Sequence, residues 1–209
     1  MTRSLLLLPA LLLLAGLFAN CEKDPEVITK TVYETDTLYV TNTDTVVVHL
    51  TDTLTLTEFI EDTATTFILS RHAETTGAGT DPVLSTDGQT RADELARVLK
   101  NVPLQAVYAT NYNRTKQTAQ PTATDKTLTV QLYDALNQGP FADNVLSAYK
   151  GQTVLVLGHS NTVPALLNLL TGANTWTQIP DTQYDNLYVV TVSKKGKAKV
   201  MHLKYGKAS

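Results

Sequence analysis

The chain has 209 residues, of which 43 % are hydrophobic, and its formal net charge is −3. This length is sufficient for one domain with additional segments. The mildly acidic balance gives no electrostatic reason to expect a nucleic-acid partner, which would require a basic surface. The chain contains one cysteine, so no disulfide can form within it and the domain must be stabilised by its hydrophobic core.

A short apolar run near the N-terminus is typical of a secretory signal. Arg3 precedes residues 5–18, which are nearly all Leu and Ala. A basic residue before such a run indicates a signal peptide, and the run is shorter than the roughly 20 apolar residues of a membrane-spanning helix. The run leads to Cys21 and resembles a bacterial lipoprotein signal, in which the cysteine is lipid-modified and becomes the mature N-terminus. We therefore expect residues 1–21 to direct export and Cys21 to anchor the protein in the bacterial cell envelope; cleavage after Ala19 without lipidation is the alternative.

Residues 22–64 differ in composition from the rest of the chain. Thr, Asp and Val dominate, and Thr-Asp-Thr recurs at residues 35–37, 43–45 and 51–53. Between the repeats apolar and polar residues alternate, which favours strands over a helix. Because a lone β-ribbon is only marginally stable in water, we expect an extended, partly disordered stalk that holds the next domain away from a membrane. Pairing between chains through the repeats is the alternative.

From residue 65 to 209 segments typical of strands alternate with segments typical of helices. This predicts an α/β domain with three α/β/α layers, a mainly parallel sheet and helices on both of its faces. The predicted strands are residues 66–70, 105–109, 128–132 and 153–157, and residues 186–193 and 198–204 are expected to form a closing hairpin. The predicted helices begin at Ser85 or Thr86, near Asn113, after Phe141 and after residue 157.

Two of the predicted strands end at a histidine. Arg71 and His72 follow the first strand, and His159 follows the strand at 153–157. In open α/β sheets the ligand crevice lies at such strand ends. Arginine supplies a permanent cation with a planar donor fork, and histidine can be neutral at pH 7, so this combination suits a site that handles phosphate.

Four motifs in this order resemble those of the histidine phosphatase superfamily, which has the phosphoglycerate-mutase-like fold. The motifs are Arg71-His72, Leu84-Ser85-Thr86-Asp87-Gly88, Arg114-Thr115-Lys116-Gln117-Thr118-Ala119 and Gly158-His159-Ser160. The resemblance covers about residues 65–206, all of the globular part. Ala73 replaces the glycine that usually follows Arg-His, and we expect it to limit how closely the backbone approaches a substrate. Thr110 stands where the family often has a serine, and it keeps the hydroxyl.

The resemblance implies a role for each polar residue of these motifs. His72 would attack phosphorus and form a phosphohistidine intermediate. Arg71 and Arg114 would clamp the phosphoryl group with bidentate, permanently charged donors. His159 would donate to the phosphoryl oxygens, and Ser160 would supply a further donor to the substrate.

The leaving-group acid is where the sequence departs most from the family pattern. The family commonly has a Glu in a Leu-x-Glu segment after the third strand, and here Asp134 stands in that position. Asp134 is therefore the candidate general acid, although Asp is shorter by one methylene and some small members of the family lack this acid. Glu74 is the other nearby carboxylate. We expect it to brace the loop after His72 and to contribute to substrate binding.

Two other chemistries are disfavoured by the residues around the histidines. His72, His159 and Asp134 have the residue types of a two-His-one-carboxylate metal site, but the neighbouring arginines would repel a cation. A nucleophilic Ser160 would require glycine two residues later, where Thr162 stands. We therefore expect neither a metal nor another cofactor.

These observations predict a metal-independent phosphatase of the cell envelope. It would hydrolyse a phosphate monoester, or phosphohistidine, on a small molecule, glycan or phosphoprotein. Hydrolysis is favoured over mutase activity because export would separate the domain from cytoplasmic glycolytic intermediates. The alternative is a catalytically weak or inactive lipoprotein whose domain binds a phosphorylated ligand. The sequence specifies neither the substrate nor the oligomeric state.

Overall fold

The computed structural model describes residues 26–32, 54–60, 64–77 and 79–209. It divides into two compact units, residues 1–61 and residues 62–209. In the described part no helix is both long enough and apolar enough to cross a membrane. The signal predicted for residues 1–21, including Cys21, and the Thr-Asp-Thr repeats lie outside the described residues.

The first unit contains two strands that pair with each other. Strand β1, Glu26–Val32, and strand β2, Leu54–Ile60, are antiparallel, with Glu26 opposite Ile60 and Val32 opposite Leu54. The strand tendency predicted from the alternation of apolar and polar residues is confirmed for β2, which contains Leu54 and Leu56. The role of residues 22–64 as a stalk stays a prediction.

The described part of the second unit has six strands and four helices. The strands are β3 Thr65–Arg71, β4 Leu104–Ala109, β5 Val130–Leu132, β6 Thr153–Gly158, β7 Asn186–Lys194 and β8 Lys197–Lys204. The helices are α1 Thr86–Val98, α2 Asn113–Asp125, α3 Gln138–Ala148 and α4 Thr162–Thr171. The strand order is β5-β4-β6-β3-β7-β8. The first four strands in this order are parallel, and β7 and β8 are antiparallel to their neighbours, so the predicted α/β class is confirmed with a mixed sheet.

Helices cover both faces of this sheet because successive residues of its central strands point to opposite sides. On one face Phe67 and Leu69 of β3 pack in a cluster with α3 and α4. On the other face Ile68 packs in a cluster with α1 and α2. These side chains are fully or almost fully buried, and each contributes roughly 1.5–3 kcal/mol to stability by leaving water.

Two element boundaries differ from the prediction for identifiable reasons. Strand β5 begins at Val130 instead of residue 128, because Thr127 has a φ of 56° and Leu128 N–H donates to Ala123 O at 2.8 Å. These residues therefore belong to the turn that ends α2. Helix α3 begins at Gln138, before the predicted start after Phe141, because the first turn of a helix tolerates a proline such as Pro140.

The start of α1 lies directly against the loop that follows His72. Ser85 caps the helix, since its Oγ accepts from Gly88 N–H at 3.1 Å, and its own N–H donates to Glu74 O at 3.0 Å. A Cβ atom on Gly88 would lie only 2.0 Å from Glu74 O. The glycine of this motif therefore permits a close contact between helix and loop.

We expect Gly88→Ala to lower the free energy of unfolding by about 1–3 kcal/mol, because the added methyl group must displace backbone atoms. The measurement is urea unfolding of the full chain. Gly139→Ala is the matched control: Gly139 is also helical, and a Cβ atom added there would have no neighbour within 4 Å, so this change should be neutral or stabilising by up to about 1 kcal/mol. Equal effects of the two substitutions would contradict the proposed contact.

Candidate active site

The structure brings the two predicted histidines together at one edge of the sheet. β3 and β6 are adjacent parallel strands with Arg71 opposite Gly158. His72 N–H extends this pairing by donating to Gly158 O at 2.9 Å. The imidazole rings of His72 and His159 have centroids 5.4 Å apart at an interplanar angle of 65°.

His72 is buried and held as a neutral imidazole with a defined tautomer. Its Nδ1 lies 2.8 Å from Ala73 O, and because a carbonyl oxygen only accepts, Nδ1 must carry the proton. Burial lowers the pKa of His72 to about 3; the bond to the Ala73 carbonyl opposes this effect, and the charge on Arg71 adds to it. At neutral pH Nε2 is therefore unprotonated, and its lone pair is free to act as a nucleophile.

His159 is positioned by the hydroxyl of Thr110. Its Nε2 lies 2.8 Å from Thr110 Oγ1, which also lies 3.0 Å from Thr115 Oγ1. Burial lowers the pKa of His159 to about 4, and the charges on Arg114 and Arg71 add to this. His159 is therefore also neutral at pH 7 when no anion is bound. Thr110 thus supplies the hydroxyl group that a serine at this position often supplies in the family that the motifs resemble.

Arg114 is held in place by an aromatic ring and a carboxylate. It is the second residue of α2, its guanidinium lies 4.4 Å from the centroid of the Tyr112 ring, and its Nη1 lies 3.4 Å from Asp81 Oδ1. Asp81 also accepts from the N–H of Asn113 at 2.9 and 3.1 Å. Since α2 has no side-chain cap of its own and no acid in its first turn, Asp81 supplies the cap from a distant loop.

Arg71 is buried, and its contacts are mostly with the chain itself. Its Nη1 donates to the carbonyl oxygens of Pro180, Asp181 and Gln183 at 3.0, 3.0 and 3.1 Å, and its guanidinium lies 4.2 Å from the centroid of the Tyr184 ring. Its Nε is buried without a hydrogen-bond partner among the described residues. Arg71 is not among the residues that line the cavity beside the histidines, and its effect there is through its charge, which contributes to lowering the pKa of both His72 and His159.

A cavity of about 880 Å³ opens beside the two histidines. It is lined by His72, Arg114 and His159, and also by the predicted residues Asp134 and Ser160. Asp134 carries the single carboxyl group among the lining residues, and its Oδ1 accepts from Leu136 N–H at 2.9 Å. The cavity therefore combines a neutral nucleophile, a fixed cation and one carboxyl group.

Glu74 does not line this cavity, which corrects the expectation that it binds substrate. Both of its carboxylate oxygens accept from Arg91 at 2.7–3.0 Å. Arg91 also donates to the carbonyl oxygens of Tyr205 and Lys207. The carboxylate of Glu74 thus ties the loop after His72 to α1 and the C-terminal segment, which is the bracing role expected from the sequence.

Ala73 does not restrict the cavity either. Its side chain is buried in a cluster with Leu84 and Ala92 of α1, and its N–H donates to Thr118 Oγ1 at 2.9 Å. The expected limit on the approach of a substrate is therefore not found, because the extra methyl group packs against the helix layer.

Several residues that shape the site were missed in the sequence. Asp81, Tyr112 and Tyr184 each contact an arginine of the site. Asp81 and Tyr184 lie in loops without a repeating pattern, and only the fold brings them to their partners. Tyr112 precedes Arg114 by two residues, so a ring beside the helix start was the one local signal available.

No group of three or more His, Cys, Asp or Glu side chains that could hold a metal ion occurs within the described residues. The histidines of the cavity instead have hydroxyl, carbonyl and arginine neighbours. This environment favours the binding of an anion.

Comparison with known proteins agrees with this geometry. Residues 67–141 match the model of the histidine phosphatase superfamily, branch 1. No curated protein matches the chain. The solved structure of the protein histidine phosphatase SixA complexed with tungstate is similar, with 18% sequence identity and a TM-score of 0.55 over 66% of this chain and 96% of that one.

Two further solved structures share the fold. A mycobacterial glucosyl-3-phosphoglycerate phosphatase is 14% identical, with a TM-score of 0.57 over 68% of this chain and 100% of that one. Bacillus stearothermophilus YhfR is 16% identical, with a TM-score of 0.55 over 66% and 95% of the two chains. The structural similarity establishes the fold, and the match to the family model lies within the α/β domain.

Proposed function

We propose that the α/β domain is a phosphatase that hydrolyses a phosphate monoester or a phosphohistidine without a metal ion. The observation that carries this proposal is the state of His72. Its Nδ1 is bonded to the Ala73 carbonyl, and its pKa is held near 3, so a neutral Nε2 belongs to a cavity that Arg114 lines, with the charge of Arg71 nearby. That arrangement suits nucleophilic attack on a phosphorus atom whose negative charge the arginines neutralise.

In the first step the lone pair on Nε2 of His72 attacks phosphorus. The bond between phosphorus and the leaving oxygen breaks, its electrons stay on that oxygen, and the oxygen takes a proton from the carboxyl group of Asp134. His72 then carries the phosphoryl group on Nε2, while Nδ1 keeps its proton and its bond to Ala73 O. For a phosphohistidine substrate the leaving atom is an imidazole nitrogen, which takes the proton in the same way.

In the second step a water molecule attacks the same phosphorus. The water gives a proton to the Asp134 carboxylate, the bond between phosphorus and Nε2 breaks, and His72 leaves as a neutral imidazole. Inorganic phosphate is the product. During both steps Arg114, together with a protonated His159 and the nearby charge of Arg71, stabilises the charge on the phosphoryl oxygens.

The similar solved structures support phosphate chemistry in general rather than one substrate. One is a protein histidine phosphatase, and another is a glucosyl-3-phosphoglycerate phosphatase. The substrates of these two phosphatases differ, as expected when one fold carries different specificities. Both substrate classes are therefore included in the proposal.

The decisive test is phosphate release from p-nitrophenyl phosphate by the full chain after treatment with EDTA. We expect activity to survive EDTA and to fall by at least about 10³-fold in His72→Ala, because a single nucleophile performs both steps. His202→Ala is the matched control, since His202 lies on β8, bonded to Asn186 Oδ1 at 2.8 Å, and does not line the cavity. Loss of activity with EDTA, or retention of activity in His72→Ala, would refute the mechanism. A wild-type protein that binds phosphate but hydrolyses neither substrate class would favour the alternative of an inactive domain that binds a phosphorylated ligand.

The mechanism also predicts that binding of an anion is linked to uptake of a proton by His159. The pKa of His159 is about 4 without ligand, and a dianion nearby favours the charged form and raises it. The complex therefore binds more protons than the free protein, so affinity for sulfate should increase as the pH is lowered from about 8 to 5, by up to about tenfold per pH unit. Titration calorimetry of the full chain measures this dependence, which His159→Gln should weaken; equal slopes in the two proteins would contradict the assignment.

We further propose that the mature protein is attached to the cell envelope through a lipid on Cys21. The support is the basic residue, the short apolar run and the single cysteine at the end of that run. Mass spectrometry of the protein purified from a bacterial membrane fraction should find a diacylglycerol-modified N-terminal Cys21. An unmodified N-terminus at Asn20 would show ordinary signal cleavage instead. Cys21→Ser should release the protein from the membrane fraction.

A further inference from the structure

Four of the residues that line the cavity are apolar or aromatic and are not buried. They are Tyr112, Leu132, Ala135 and Leu136, and we call them the apolar rim. The exposed fractions of the three large side chains are 42% for Tyr112, 55% for Leu132 and 96% for Leu136. Single exposed apolar residues are ordinary on protein surfaces, but here three of them line the same cavity as the catalytic histidines.

The most exposed residue of the apolar rim sits in a hydrogen-bonded turn. Leu136 N–H donates to Asp134 Oδ1 at 2.9 Å, and Asn137 N–H donates to Asp134 O at 3.1 Å. Beneath the turn, Tyr133 is buried, and its ring stacks on Phe141 with centroids 4.3 Å apart. The turn thus leaves Leu136 almost fully exposed to water among the residues that line the cavity.

The cavity is lined by charged or titratable residues, by the apolar rim and by neutral polar residues such as Asn111, Asn161 and Gln178. Arg114 and the two histidines suit the phosphoryl group, whereas the apolar rim offers no hydrogen-bonding side chain except the Tyr112 hydroxyl. Asp134 lies between Leu132 and Leu136 in the chain, so the carboxyl group that would protonate the leaving atom is next to the rim. The leaving group must therefore pass close to these side chains.

We infer that the substrate's leaving group carries an aryl or alkyl part that packs against the apolar rim. This inference rests on the proposed phosphatase function and narrows its substrate to amphipathic phosphate monoesters. A wholly polar leaving group would cover Leu132 and Leu136 with groups that find no hydrogen-bond partners there. An apolar group would instead remove both leucine surfaces from water.

The test compares hydrolysis of 4-methylphenyl phosphate and 4-butylphenyl phosphate by the full chain. The two phenols are nearly equal as leaving groups, so the substrates differ mainly in apolar area. Each methylene that is fully buried raises kcat/KM by about fourfold, and three methylenes that are partly buried should give about a tenfold preference for the butyl compound. The preference should fall markedly in Leu132→Asn and in Leu136→Asn.

Leu203→Asn is the matched control, because Leu203 is an exposed leucine of β8 that does not line the cavity. It should keep the full preference. Inorganic phosphate has no leaving group, so its inhibition constant should stay nearly the same in all variants if the phosphate end is intact.

Each outcome separates the inference from the proposed function. If the two compounds are hydrolysed with equal kcat/KM, the inference is overturned and the proposed function stands. A preference that survives both rim substitutions also overturns it, because the apolar contact must then lie elsewhere and the rim would serve another partner. If neither compound is hydrolysed but p-nitrophenyl phosphate or a phosphohistidine is, the inference fails and the proposed function stands. If none of these is hydrolysed, both fail.

Discussion

The pairing of β3 with β6 is the constraint on which the rest of the site depends. Because these strands are parallel and Arg71 lies opposite Gly158, both strands end at the same edge of the sheet and at the same level along the strand direction. The bond from His72 N–H to Gly158 O continues the register by one residue. A slip of one residue would turn His72 toward the opposite face and separate it from His159. The buried apolar residues of both strands therefore specify the geometry of the histidines.

A site that concentrates positive charge must avoid destabilising the unliganded protein. Two arginines and two histidines lie close together here, and burial lowers the pKa of both histidines so far that only the arginines are charged. Each arginine is in turn compensated, Arg114 by Asp81 and Arg71 mainly by three backbone carbonyls. The ion pair between Arg71 and Asp181 contributes little to stability, since the side chain of Asp181 is almost fully exposed and water screens the attraction. Because the histidines are neutral in the unliganded protein, the site can gain positive charge when an anion binds.

Local patterns in the sequence were sufficient for most of the fold and for the centre of the site. The apolar runs of β3 and β6 indicated buried strands, and the ends of these strands located His72 and His159. The contacts of Asp81 with the start of α2 and of Arg71 with the loop at 180–184 could not be predicted in this way, because they join residues that are 32 or more than 100 positions apart. The pairing of β1 with β2 also joins distant segments, whereas alternation alone shows only that each segment favours a strand. The periodicity of apolar residues shows which face of a helix or strand can be buried. It does not show which other element that helix or strand packs against or pairs with.

The two departures from the family pattern show how a substitution can leave the centre of a site intact. The methyl group of Ala73 is absorbed by the packing of α1, so the loop after His72 keeps its place. Asp134 lines the cavity although its side chain is shorter than that of Glu, and its Oδ1 also fixes the turn that presents Leu136. In the proposed mechanism, one carboxyl group therefore connects the protonation of the leaving atom to the surface inferred to receive the leaving group. A substitution of Asp134 would disturb both properties together, and the effect on the chemical step can be separated from the effect on substrate preference only through the residues of the apolar rim.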